Sequence, residues 1–175
     1  KVFSLLTFSL LGLVILVELF MPLFVSLIAP GFKSDPEKFI IATDLTRITF
    51  PFILFISLAS FFSAILNSHN KFAAASAAPI ILNIVLITTL LCAKYLDDHL
   101  VIYMSYGVSI AGFIQMIFLI SSLKKIYKPQ FKVNLNIDNK TKSFFKKLLP
   151  SIFSSGVTQV NILIGTIIAS FQAGA

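Results

Sequence analysis

Apolar and polar positions alternate on a long scale along these 175 residues. Apolar runs lie near Phe3 to Ala29, Leu45 to Asn67, Phe72 to Ala93, Leu100 to Leu123 and Leu148 to Ser170. Crossing a hydrocarbon core of about 30 Å takes roughly 20 helical residues, so each run is long enough. The pattern predicts an all-α polytopic membrane protein with five transmembrane helices. Ser34, followed by Asp35, Pro36 and Glu37, reads as an N-cap with acids in the first turn. That start places the second helix's origin well before the membrane and leaves Asp44 and Arg47 near its wet end. The connections Ser68 to Lys71 and Lys94 to His99 are short, which makes successive spans antiparallel neighbours.

Polar positions recur within the runs. The last span carries Ser151, Ser155, Gln159, Thr166 and Ser170 at helical spacing, with Ile162 filling a gap and Ser154, Thr158 and Asn161 flanking. Ser105, Ser109, Gly112 and Gln115 repeat the theme on the fourth span, and Ser57, Ser60, Ser63 and Asn67 on the second. Small residues at such spacing serve close helix packing as readily as they serve a cargo. Large amides pack less well and bond better, so Asn83, Gln115, Gln159 and Asn161 are the stronger candidates for lining a polar cavity. Glu18 joins them, because an ionised side chain near the middle of a span costs several kcal/mol unless paired, hydrated or neutral. Arg47 opens a greasy helix and also asks for a partner. Pro22, Pro51, Pro79 and Pro150 predict bends in four of the five spans.

Composition sharpens the class. With 57% apolar and 12% charged residues, the chain departs from soluble domains, where about a quarter of residues are charged. Trp is absent, so Tyr95, Tyr103, Tyr106 and Tyr127, all near span ends, supply the interfacial aromatics. Cys92 is the single cysteine, which excludes an intrachain disulfide. No cleavable signal fits the first run, and a chain opening on Lys1 and closing on an apolar stretch reads as an internal piece of a longer protein.

Charge sets the expected orientation. Between Ser121 and Lys147 stand Lys124, Lys125, Lys128, Lys132, Lys140, Lys142, Lys146 and Lys147 against Asp138 alone. The positive-inside rule makes that connection cytoplasmic. Counting back puts Lys1 and the Lys71 turn inside, and the Pro30 to Lys38 and Lys94 to His99 connections outside. The lysines serve as a topology determinant or as a membrane-surface basic patch. Phe144, Phe145, Leu148 and Leu149, alternating with lysines, predict an amphipathic lead-in on the surface. Residues 1–123 then form one unit of four spans, 124–147 a basic linker and 148–175 the first helix of a second unit.

Asp97, Asp98 and His99 lack a second cluster to complete a metal site and read as a solvated turn, as does His69. No phosphate-cradling glycine loop or nucleophile elbow appears. No enzyme activity, cofactor, metal or nucleic-acid partner is expected.

Four blocks resemble a known family: APGF at Ala29 to Phe32, TRITFPFILFISLASFFSAILNSHNKF at Thr46 to Phe72, APIILNI at Ala78 to Ile84, and LPSIFSSGVTQVNILIGTIIASF at Leu149 to Phe171. In order and spacing they are similar to the MurJ/MviN lipid II flippases, over most of the chain. The resemblance implies spans three to seven of fourteen, in a two-lobed MOP-type transporter fold of six-helix lobes around a V-shaped cavity. The basic connection would join the lobes. The implied cargo is the undecaprenyl-pyrophosphate-linked peptidoglycan precursor, moved from inner to outer leaflet by alternating access without nucleotide hydrolysis. The implied setting is the bacterial inner membrane, and the implied partners are that lipid-linked precursor, the bilayer and the remaining helices of the full-length chain. The family's cavity arginines, on spans one, two and eight, fall outside this piece. Asn83, in a Pro-x-x-x-Asn pattern, and Gln159, in Val-Thr-Gln-Val, match plausible cavity positions, whereas Arg47 and Glu18 rest on the residue reading alone. Two alternatives stand beside it: a flippase for another isoprenoid-linked saccharide, and a membrane scaffold without transport.

Overall fold

The computed structural model describes residues 2–94, 100–124, 126 and 139–172; within the last stretch it describes the side chains of 143, 146, 150 and 155 onward. The described residues form seven α-helices: α1 Val2–Leu19, α2 Met21–Ile28, α3 Pro36–Thr49, α4 Phe52–Ser68, α5 Phe72–Ala93, α6 Leu100–Leu123 and α7 Asn139–Ser170. A 3-10 turn, Pro30–Ser34, joins α2 to α3. Among the described residues, four helical stretches are long and apolar enough to cross a membrane: Val2–Leu19, Pro36–Ser68, Phe72–Ala93 and Leu100–Leu123. The chain is thus a polytopic, all-helical membrane protein. For the expected fifth span, the described apolar part is Ser155–Ser170, which is shorter.

Proline chemistry breaks the first two spans. Pro22 and Pro51 have no N–H, so they leave the carbonyls of Glu18 and Arg47, four residues earlier, without their usual helical donors. The first expected span is accordingly two helices that meet at Phe20, and the second divides between Thr49 and Phe52. After Pro51 the amides of Ile53 and Leu54 reach back three residues, to Phe50 and Pro51, instead of four. The start of α3 also differs from expectation. Asp35, not Ser34, is the N-cap, its carboxylate accepting from the Lys38 amide at 3.2 Å. Ser34 closes the 3-10 turn by donating to the Gly31 carbonyl at 2.7 Å. A carboxylate one residue nearer the helix outcompetes a hydroxyl already engaged in a turn. Pro150, by contrast, sits inside one continuous 32-residue helix, so the expected lead-in and last span are a single element. Lys140, Lys142, Lys146 and Lys147 lie on its first turns, while Lys125, Lys128, Lys132, Asp97, Asp98 and His99 fall outside the described residues.

Two buried clusters fix the packing. Phe3, Leu58, Ala59, Phe62, Leu66, Ala78, Leu119 and Leu123 make one, and Val14, Val17, Met21, Val25 and Phe50 the other. Their membership gives the helix directions. Phe3 stacks on Phe61 and Phe62 late in α4, while Val14 and Val17 meet Phe50 just before it, so α1 and α4 run antiparallel. Gly112 lies against Phe52 and Phe55, and Leu119 joins Phe62 and Leu66 further along, so α4 and α6 run parallel with α5 reversed between them. One end of the bundle therefore holds the chain start, the 69–71 turn and the end of α6. The other holds the 3-10 turn and the ends of α5 and α7. Asn70, at φ 59°, makes the first of these turns: it is left-handed, the Lys71 amide reaches the Leu66 carbonyl at 2.9 Å and the Asn70 amide that of Asn67 at 3.1 Å. His69 lies in this turn and is exposed, as expected. In the full-length protein lacking other thiols, cysteines at Lys71 and at Lys33 should label from opposite faces of the membrane with an impermeant reagent. Labelling of both from one face would contradict this arrangement.

Candidate functional site

Hydroxyls and amides part company once the chain is folded. Thr7, Thr43, Thr46, Ser60, Thr88, Thr89, Ser105 and Thr166 each donate to the carbonyl four residues earlier in their own helix, at 2.6 to 2.9 Å. A hydroxyl satisfied in this way can face lipid or a packed helix at little cost. The serine spacing that invited a cavity in the sequence is therefore met locally at Ser60 and Ser105. Ser57 and Ser63 are half-buried, and Asn67 is exposed at the helix end.

Ser109 does something different. Its hydroxyl donates across the bundle to the backbone carbonyl of Ile48, one turn before Pro51. There the broken helix presents carbonyls that its own amides no longer cover, and α6 supplies a donor. Gly112, one turn on, is buried because a Cβ would fall 2.5 Å from the Phe52 ring. Ser109→Ala should cost about 1 kcal/mol of stability, the net worth of one hydrogen bond. A thermal-unfolding measurement in detergent checks it, and an unchanged midpoint would place the Ile48 carbonyl on another donor.

The sequence candidates do not converge on one point. Gln115 is 5% exposed, inside the α4 to α6 packing, and its Oε1 is buried without a hydrogen-bond partner. Glu18 is half-buried at the α1 to α2 break, and its Oε1 is likewise buried and unpartnered. Arg47 is exposed on α3 one turn before the second break. The two breaks pack together: Met21 is fully buried beside Phe50, and Phe24 meets Phe50 edge-on at 5.4 Å. Glu18 and Arg47 thus stand on either side of the packed breaks, each four residues ahead of a proline, a relation that the spacing Glu18 to Pro22 and Arg47 to Pro51 makes readable. Asn83 is exposed on α5.

Gln159 and Asn161 are both exposed on α7. They are separated by roughly 200° around a helix of 3.6 residues per turn, so they do not share a face. Gln159 lies with Ser155, Thr166 and Ser170. The contacts of α7 are concentrated on α2 and the 3-10 turn. There the Gly31 amide donates to the Ser170 hydroxyl at 3.0 Å, and that hydroxyl donates to the Ile167 carbonyl at 2.7 Å. The amide-bearing length of α7 stands exposed beside a bundle that holds it by its far end. Among the described residues, no cluster of His, Cys, Asp and Glu has a metal-binding arrangement.

The whole chain, residues 1–175, matches the family described as Lipid II flippase MurJ. It is 38% identical to a "Probable lipid II flippase MurJ" of Rickettsia prowazekii and 37% identical to one of Rhizobium tropici, in each case over 100% of this chain and 34% of the relative. A "Lipid II flippase MurJ" of Burkholderia cenocepacia is 32% identical over 82% of this chain and 28% of its own length. The chain spans about a third of the length of the Rickettsia and Rhizobium relatives. On this match over its full length, the chain belongs to the lipid II flippase MurJ family.

Proposed function

We propose that the chain is part of a bacterial inner-membrane flippase that carries lipid II, the undecaprenyl-pyrophosphate-linked peptidoglycan precursor, from the inner to the outer leaflet by alternating access. The family match over residues 1–175 carries this reading. In it, α1 to α6 belong to one lobe, residues 124–147 are the cytoplasmic linker, and α7 is the fifth span and opens the second lobe. Transport needs no covalent step, so no catalytic group or nucleotide is assigned.

The geometry supports such a role in two ways. Broken helices at Pro22 and Pro51 can absorb bending without losing buried hydrogen bonds elsewhere. The Gln159 face of α7, exposed and tied to the bundle near Ser170, offers an amide to a polar cargo head. Gln159 is assigned to the cargo cavity on this face of α7, Asn83 to the cavity on its family pattern alone, and Glu18 and Arg47 to the packed proline breaks.

The test is reconstitution of the full-length protein in vesicles carrying a fluorescent lipid II analogue in one leaflet. Loss of the analogue from that leaflet faster than in protein-free vesicles is expected. A rate equal to the protein-free rate would refute the proposal and favour a scaffold, whereas movement of a different isoprenoid-linked saccharide alone would reassign the cargo.

A further inference from the structure

The contact between the 3-10 turn and the end of α7 joins residues 139 positions apart. Gly31 is buried, and its amide is spent on the Ser170 hydroxyl at 3.0 Å. A Cβ at position 31 would fall on the Ser170 carbonyl group and 2.7 Å from the Phe171 amide nitrogen. Those are backbone atoms, which cannot swing aside as a side chain can. Glycine is therefore required by close approach here. The Ser170 hydroxyl is used twice, as acceptor for Gly31 and as donor to Ile167, so its orientation is set before the two elements meet. Ser170 is buried, while Thr166 one turn before it is exposed. The contact is thus a local closure at the end of a helix whose residues 157–166 are exposed.

We propose that Gly31 and Ser170 form a latch that closes the gap between α7 and the α1 to α6 bundle at the 3-10-turn end, and that this latch must release for cargo to leave on that side. The proposal rests on the transport reading above. It makes Gly31 and Ser170 positioning residues that touch no cargo. A single hydrogen bond plus a glycine-fitted backbone contact is strong enough to bias two arrangements and weak enough to be exchanged in each cycle.

The experiment uses the full-length protein with Cys92→Ser. Phe32→Cys and Phe171→Cys, next to the latch residues, are bridged with a short, cleavable bifunctional thiol reagent. Flipping of the lipid II analogue should fall at least about tenfold on bridging, the effect of withdrawing one obligatory state, and return on cleavage. Bridged protein that flips at the unbridged rate would overturn the latch. In parallel, a thiol at Thr166→Cys reports access from the 3-10-turn side. Gly31→Ala should raise its reaction rate with an impermeant reagent roughly tenfold, and Ser170→Ala by less, since it removes the acceptor but keeps the close fit. Lower thermal stability with unchanged Thr166→Cys access would make the contact merely structural and defeat the proposal. Should the unbridged protein move no lipid II while Gly31→Ala still opens access, the cargo assignment fails and the latch stands.

Discussion

In the full-length protein, Glu18→Leu is expected to lower flipping by about tenfold, the equivalent of roughly 1.4 kcal/mol, while leaving thermal stability unchanged or slightly raised. Stability should hold because the Glu18 Oε1 is buried with no hydrogen-bond partner. An unsatisfied buried oxygen is a cost, and a leucine of similar volume removes it. Function should fall because such a cost is kept only where another arrangement of the chain uses the group. The structure supplies a candidate for that use. Arg47 stands across from Glu18 on the other of two proline breaks, which pack against each other through Met21, Phe24 and Phe50. Bending at either break changes the separation of the Glu18 carboxyl and the Arg47 guanidinium, so the pair can favour one arrangement of the breaks over another. Glu18→Gln keeps a polar group without the charge and should fall between wild type and Glu18→Leu. If the two residues act as a pair, Arg47→Leu added to Glu18→Leu should cost little more than either alone. Full flipping by Glu18→Leu would mean that the carboxylate has no part in the cycle.

How far this was legible in the sequence depends on the kind of signal. The helices and their antiparallel order follow from run length and short connections, and the packing agrees: Ala78, early in α5, joins the Leu66 and Leu123 end of the bundle. The break points also follow, because proline removes a donor wherever it stands. Pro22 and Pro51 break helices, but Pro79 and Pro150 each sit inside one continuous helix, and a proline alone does not say which will happen. The second span's two halves are separated where Phe50 is drawn into a buried cluster with Met21, a contact between residues 29 apart that no local pattern encodes. The serine stripes were the least informative. Spacing places Ser60 and Ser109 alike, yet one closes on its own helix and the other crosses to Ile48. The difference lies in whether a neighbouring helix presents an uncovered carbonyl. Gly31 is similar: a glycine in a Pro-Gly turn signals a turn, and only the approach of Ser170 shows a second constraint on it.

Gln159→Leu should weaken flipping by about tenfold and leave insertion and thermal stability nearly intact. Its side chain is exposed and lies on the face of α7 shared with Ser155 and Thr166, so the substitution breaks no buried contact and the folded state has little to lose. Its threonine neighbour at 166 is satisfied by the Ile162 carbonyl at 2.9 Å. An amide has two donors and a two-lone-pair acceptor, more than one turn of helix can absorb, and so remains available to a ligand. Pyrophosphate and sugar oxygens are acceptors of the kind an amide donates to, and a hydrogen bond to a charged acceptor contributes about 1.5–3 kcal/mol. A neutral amide supplies this without the desolvation cost of a buried cation. Asn161, roughly 200° away around α7, faces elsewhere, so Asn161→Leu should have a smaller effect on flipping. A cysteine at position 159 should react with a small water-soluble thiol reagent and be protected by the lipid II analogue, while one at 161 should show no such protection. Equal protection at both positions, or a Gln159→Leu protein that loses stability and keeps its flipping rate, would remove Gln159 from the cavity and leave the polar face of α7 as a packing surface.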